Sequence, residues 1–187
     1  MVNYFSLNEL KKKKFKYLGK NVLISKKCSL INVQNISVGD NSRVDDYCVL
    51  QGKIEIGKNV HITPMCLVGG GKLGVVIEDF STLAYGVKVF SQTDDYTDGF
   101  MTNSTVDKKF KKEIYKKIII KKHSIIGCNS VIFPRSILEE GTSVGAMSLI
   151  NFKTKKWGVY VGVLAKIIKK RRKVKKSFLS DFSYNEK

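Results

Sequence analysis

Three observations predict an all-β fold for this chain of 187 residues, a solenoid of short parallel strands. Aliphatic residues recur every six positions in three runs: Val38, Val44, Leu50, Ile56, Ile62 and Val68; Ile77, Leu83 and Val89; Ile120, Ile126, Ile132, Leu138, Val144 and Ile150. Four places after most of them stands a small residue, among them Ser42, Cys48, Cys66, Ser81, Ser124, Ser130, Thr142 and Ser148. Gly or an acidic residue often follows the aliphatic one directly, as at Gly39, Asp45, Gly57, Glu78, Gly127 and Gly145. A helix with 3.6 residues per turn would carry a six-residue stripe around its cylinder, whereas strands joined by turns keep it in place. Each hexapeptide then forms one face of a triangular coil, and three complete a turn of about 18 residues. Aliphatic side chains fill the axis, small ones fit the corners, and coils stacked about 4.8 Å apart satisfy each other's backbone as a parallel sheet does. No coil buries its face alone, so the ends need caps.

Taken in order, residues 1–20 read as a capping helix. Ser6 and Glu9 form a capping box ahead of Leu7, Leu10 and Phe15. The coils are expected over 21–156, with a phase slip of two residues between Leu30 and Val38 and one of three at 72–76, after Gly69, Gly70 and Gly71. The long interruption, about 91–117, has no six-residue phase and carries Asp94, Asp95 and Asp98, then Lys108, Lys109, Lys111, Lys112, Lys116 and Lys117. A loop of that length between two regular segments points to function. After Ile150 the repeat stops, and Trp157 and Gly158 break the pattern. Residues 157–187 read as a basic segment, helical over 164–174 and loose from about Ser177.

The net charge of +18, from 34 Lys and Arg against 16 Asp and Glu, favours polyanionic small molecules. Lysine is scattered and no nucleic-acid motif accompanies it, so nucleic acid is not expected as a partner. No apolar run approaches the length of a membrane span, and the first twenty residues lack the order of a secretory signal; both lead to a cytoplasmic expectation. Cys28, Cys48, Cys66 and Cys128 show no paired spacing; the first three fall at the small inward position and read as core. His61 and His123 are the only histidines, too few for a three-histidine metal site, and no metal is expected.

The stretch from His123 through Ile126-Gly127-Cys128-Asn129-Ser130-Val131-Ile132-Phe133-Pro134, then Val144-Gly145-Ala146 and Trp157 to Lys166, resembles the "IGAGSVILPGV…VGAGS…WGIYAGNPAK" signature of the hexapeptide-repeat acyltransferases. The likeness covers about 21–172. Ser91-Gln92-Thr93-Asp94-Asp95-Tyr96 is similar to the "SSDDY" loop of a narrower branch, which includes N-acetyltransferases of nucleotide-linked 4-amino-4,6-dideoxyglucose and related sugar O-acetyltransferases. The resemblance implies a left-handed β-helix, acetyl-CoA as co-substrate, a homotrimer with sites between subunits, and a nucleotide-sugar acceptor destined for a surface polysaccharide. It implies CoA contacts at Gly127, Gly145 and Ala146, with Lys166, Lys169 and Arg171 at the phosphates. Leu164 departs from the Pro that usually precedes the family's Ala-Lys.

Aminolysis of a thioester needs an unprotonated amine, an oxyanion donor and a destination for the proton. Many relatives carry a histidine base in the loop where this chain reads Asp94 and Asp95. A carboxylate suits an incoming amine, which must be held and must lose a proton; a hydroxyl acceptor benefits from an imidazole. The expectation is N-acetylation, with Asp94 or Asp95 orienting the amine and backbone N–H near Gly127 or Gly145 polarising the thioester. Asp45, Asp46 and Tyr96 are candidate sugar contacts. The alternative is sugar O-acetylation with His61 or His123 as base, and a further rival is a solenoid scaffold without turnover.

Overall fold

The computed structural model describes residues 2–185. Its coils form a left-handed triangular prism with three parallel walls. The first stacks Leu23–Ile24, Arg43–Val44, His61–Ile62, Thr82–Leu83, Ile125–Ile126, Ser143–Val144 and Gly158–Val161. The second stacks Ser29–Ile31, the start of Val49–Ile56, the start of Leu67–Ile77, Lys88–Phe90, Val131–Ile132 and Leu149–Ile150. The third stacks Tyr17–Leu18, Ile36–Val38, the ends of the two long strands, Ile118–Ile120 and Ile137–Leu138.

Every aliphatic residue of the six-residue series is buried, and so are Cys28, Cys48 and Cys66. The small inward residues also close the corners with hydrogen bonds. Ser42 Oγ donates to the Gly57 carbonyl (2.8 Å), Ser130 Oγ to that of Gly145 (2.8 Å) and Ser136 Oγ to that of Ile150 (3.0 Å). A buried hydroxyl is tolerated there because its partner lies on the next coil. Thr93, four places after Val89, closes no corner, since the chain has already left the prism at that point.

The capping helix is present as Leu7–Lys12. Ser6 Oγ accepts from Glu9 N (3.3 Å) and Glu9 Oε2 from Ser6 N (2.7 Å), while Leu10 is buried in the core. The wall begins ahead of residue 21, because Tyr17–Leu18 already pairs with Ser37 and Val38. The first phase slip is absorbed by the 3-10 turn Val33–Asn35, the second by the glycines of Leu67–Ile77, whose register against Val49–Ile56 is irregular.

The C-terminal segment departs from expectation. Lys166–Lys170 is a strand, antiparallel to Gly158–Val161, where the sequence suggests a helix over 164–174. The last coil leaves one row of backbone groups open, and a returning strand pairs them. The helix lies further on, at Lys176–Asn185, over residues expected to be loose. The peptide bond between Val163 and Leu164 is cis. No helix among the described residues is long and apolar enough to cross a membrane.

Candidate active site

The prism has three corners, and the site residues divide among them. Between the third and first walls the turn residue is left-handed in successive coils: Asn21, Asn41, Asn59, Phe80, His123, Gly141 and Trp157. Between the first and second walls an exposed ridge runs along Tyr47, Met65, Tyr85 and Met147, beside Gly127, Gly145 and Ala146. Between the second and third walls the chain leaves as the long insertion and returns at Ile118.

The insertion is anchored by an antiparallel ribbon of Gln92–Asp94 and Glu113–Tyr115, which pairs Gln92 with Tyr115, Thr93 with Ile114 and Asp94 with Glu113. Asp94 Oδ2 accepts from Asn103 N (2.7 Å) and Oδ1 lies 3.4 Å from Lys111 Nζ. The Asn103 N–H and the Lys111 ammonium hold its carboxyl below the usual aspartate range. Asp95 is buried. Lys112 Nζ lies 2.8 Å from Oδ2, Thr97 donates to Oδ1, and these donors pull it well below that range. Tyr96 is exposed beside them.

Two clefts flank the ribbon, and Asp94 borders both. One of about 540 Å³ lies against Gly69 and Gly71 and is lined by Gln92, Lys111 and Glu113. The other, of about 340 Å³, is lined by Asp95, Tyr96, Phe133, Pro134 and Arg135. Gly71 has φ +48°, and a Cβ there would stand 3.0 Å from Gln92 Oε1 and 3.1 Å from Ser91 Oγ, so a side chain at this corner would be strained and would press on the start of the ribbon. Asp94, Asp95 and Tyr96 are thus brought together.

The other candidates lie elsewhere in this chain. Asp45 sits on the first-wall side with its side chain 3% exposed, and accepts from Tyr4 Oη (2.9 Å) and Arg43 Nε (2.6 Å) while Oδ2 meets His61 Nε2 (2.8 Å). Burial pushes its carboxyl up, but Arg43, His61 and Tyr4 together bring it below the ordinary value. Asp46 is held by Ser25 Oγ (2.5 Å) and Lys27. His123 occupies a left-handed turn position (φ 61°), with its ring stacked on Phe80 (5.1 Å) and Trp157 (6.2 Å); burial lowers its pKa. Arg171 donates to the carbonyls of His123 (2.6 Å) and Gly141 (3.2 Å), which ties its guanidinium to that same corner.

Gly127, Gly145, Ala146 and Lys166 share the remaining corner, since Gly145 lies under Val161 and Val161 pairs with Lys166. Coil stacking alone requires both glycines. A Cβ on Gly127 would stand 2.5 Å from Ala146 N, and one on Gly145 2.7 Å from Val161 Cγ1. Their N–H groups are engaged by the next coil, Gly127 N with Val144 O (2.7 Å) and Gly145 N with Tyr160 O (2.8 Å). Neither of these two amides is therefore free to polarise a thioester, because the parallel coils consume them. Lys169 lies exposed on the same strand as Lys166, opposite Val159. Lys111, Glu113 and Gln92 escaped the sequence reading. Lys111 reads there as one of a basic run, and only the ribbon register separates it from its neighbours.

A triangular prism of six-residue coils interrupted by one polar ribbon is the architecture of a hexapeptide-repeat transferase. The family model described as bacterial transferase hexapeptide (six repeats) matches residues 35–70. The chain is 36% identical over 174 residues to a dTDP-4-amino-4,6-dideoxy-D-glucose acyltransferase of Escherichia coli, covering 91% of this chain and 90% of the relative. The N-acyltransferase AntD of Bacillus cereus, solved with dTDP and 3-hydroxybutyryl-CoA, superposes with a TM-score of 0.92 at 37% identity, over 100% of this chain and 98% of that one. A mutant of AntD was solved with dTDP-4-amino-4,6-dideoxyglucose and coenzyme A, at a TM-score of 0.93 and 39% identity over 100% of this chain and 99% of that one. A maltose O-acetyltransferase of Clostridium difficile 630 shares the fold alone, with a TM-score of 0.56 at 20% identity over 89% of this chain and 75% of that one. The chain belongs to the hexapeptide-repeat acyltransferases.

Proposed function

We propose that the chain transfers an acyl group, acetyl in the first instance, from acyl-CoA to the 4-amine of a dTDP-linked 4-amino-4,6-dideoxyglucose. The observation that carries this reading is the pair of ionised aspartates, with no imidazole, on a ribbon between two clefts. The E. coli relative named for that sugar and the AntD complexes with dTDP, the amino sugar and CoA support it.

In the reaction the amine nitrogen attacks the thioester carbonyl carbon. The C–N bond forms, the C–S bond breaks, and the proton lost by nitrogen ends on the CoA thiol. Asp94, facing both clefts, accepts a hydrogen bond from the attacking amine and holds it as it deprotonates. Asp95, locked by Lys112 and Thr97, keeps the loop that presents Asp94 in one conformation. Tyr96, Asp45 and Asp46 remain candidate sugar contacts. Gly127, Gly145 and Ala146 offer a corner without side chains for the pantetheine, and Lys166 and Lys169 offer ammonium groups to its phosphates. Arg171, bound to two carbonyls, contributes by fixing the returning strand.

The Asp94 ribbon and the glycine corner lie on different edges of one prism. A homotrimer sets the ribbon of one copy against the glycine corner of the next, and the exposed ridge of Tyr47, Met65, Tyr85 and Met147 supports a covered interface there. The helix Leu7–Lys12 caps the prism, the coils from Tyr17 to Val161 form the catalytic body, and the strand Lys166–Lys170 serves CoA. The reaction is placed in the cytoplasm, with the acylated sugar passing to polysaccharide assembly.

The test is a panel of dTDP- and UDP-linked amino sugars and their hydroxyl analogues, offered with acetyl-CoA and 3-hydroxybutyryl-CoA while thiol release is followed. Turnover with amines alone is the expected result, and turnover confined to hydroxyl acceptors overturns it. That second outcome would favour O-acylation with His61 as base, since Asp45 orients its ring at 2.8 Å.

A further inference from the structure

The ribbon register sets two carboxylates face to face. Asp94 and Glu113 are direct cross-strand partners, on the same face as Gln92 and Tyr115. Like charges so opposed destabilise a strand pair. The ammonium of Lys111 stands between them, 3.4 Å from Asp94 Oδ1 and 3.8 Å from Glu113 Oε1, with its side chain only 7% exposed. A lysine buried to that degree is costly unless paired, and here it is paired twice. Glu113 is fixed in turn by Gln92 Nε2 (3.0 Å) and by the Tyr115 hydroxyl, over whose ring Lys72 Nζ lies at 4.3 Å. A polar chain thus runs from Lys72, next to Gly71 at the ribbon's own edge, through Tyr115, Glu113 and Lys111 to Asp94.

We infer that Lys111 is the positioning residue that keeps Asp94 ionised and aimed between the two clefts, by neutralising its cross-strand partner Glu113. This rests on the reading of Asp94 as the amine acceptor. Other charged groups near Asp94 do not take that place. Asp95 and Asp98 both engage Lys112, while Lys116 and Arg135 line the far side of the second cleft. Around the first cleft, the charged lining besides Asp94 is Lys111 and Glu113. Without the ammonium, two carboxylates share one space and one of them takes up a proton nearer neutral pH. An Asp94 protonated in this way no longer accepts from the amine.

The test is the pH profile of kcat/KM for acyl transfer to the dTDP-linked amino sugar in the full-length enzyme. In Lys111→Met the acid limb is expected to move up by about one to three pH units. Lys111→Arg should leave it near the wild-type position, and adding Glu113→Gln to Lys111→Met should move it back, because no second carboxylate remains. The double variant leaves no unpaired charge from this pair, which guards against loss of fold. An acid limb unmoved in Lys111→Met, or a loss equal at every pH and not relieved by Glu113→Gln, overturns the inference. Asp94→Asn separates the two levels. If it keeps the wild-type rate, the assignment of Asp94 itself fails; if it is inactive while Lys111→Met keeps its acid limb, only the role of Lys111 fails.

Discussion

In the coils, each inward residue meets its counterpart one turn away, and buried hydroxyls find carbonyls on the next coil, so that no buried side-chain polar atom among the described residues lacks a partner. In the ribbon of the insertion, order comes instead from ion pairs and turn hydrogen bonds: Asp94 with Lys111, Asp95 and Asp98 with Lys112. The prism derives its stability from repetition. The insertion breaks the repetition and is the part that concentrates charge at one place. A regular solenoid with one polar interruption thus keeps the repeating core apart from the clustered charges of the ribbon.

The comparison can be broken most forcefully by one substitution on each side. Ile126→Ala empties a fully buried position between two coils and is expected to cost about 2 to 5 kcal/mol. Ile114→Ala, on a ribbon residue 37% exposed, should cost less than about 1 kcal/mol. Urea unfolding midpoints read both, and equal losses would mean that the ribbon is as integral to the core as the coils are. A smaller effect comes from Asp45, whose carboxyl lies below its ordinary value in the folded chain. Its contribution is present above the unfolded aspartate range and is lost as the pH falls through the lowered folded value. The melting temperatures of wild type and Asp45→Asn should therefore converge as the pH drops below about 4. A gap that stays constant would remove Asp45 from the acid response. A modest effect also belongs to the cap. Ser6→Ala removes one half of the capping box and should cost about 1 kcal/mol, measured as a shift of the thermal midpoint.

Much of this was open to reading from the chain. The buried aliphatic series matches the six-residue count residue for residue, and Ser6 with Glu9 marks the helix before the first coil. Asp94, Asp95 and Tyr96 stood out because they interrupt a period, and the ribbon brings them together beside one cleft. His123 shows the opposite case. It stands in the most recognisable stretch of the repeat, yet its ring is stacked between Phe80 and Trp157, on aromatic side chains 43 and 34 positions away in a chain of stacked coils. The basic run over 164–174 has the composition of a helix, but an open wall edge claims it as a strand.

From the sequence alone, the period specified the prism, because six residues per face is a local constraint that each coil meets with its own side chains. The absence of histidine from the 91–117 insertion likewise directed the chemistry toward an amine. Only the tertiary structure decided which candidates share a corner, that the amides of Gly127 and Gly145 are already engaged, and that Lys111 stands between Asp94 and Glu113. Those are contacts between segments remote along the chain, set by strand register and edge pairing, and no local pattern encodes them.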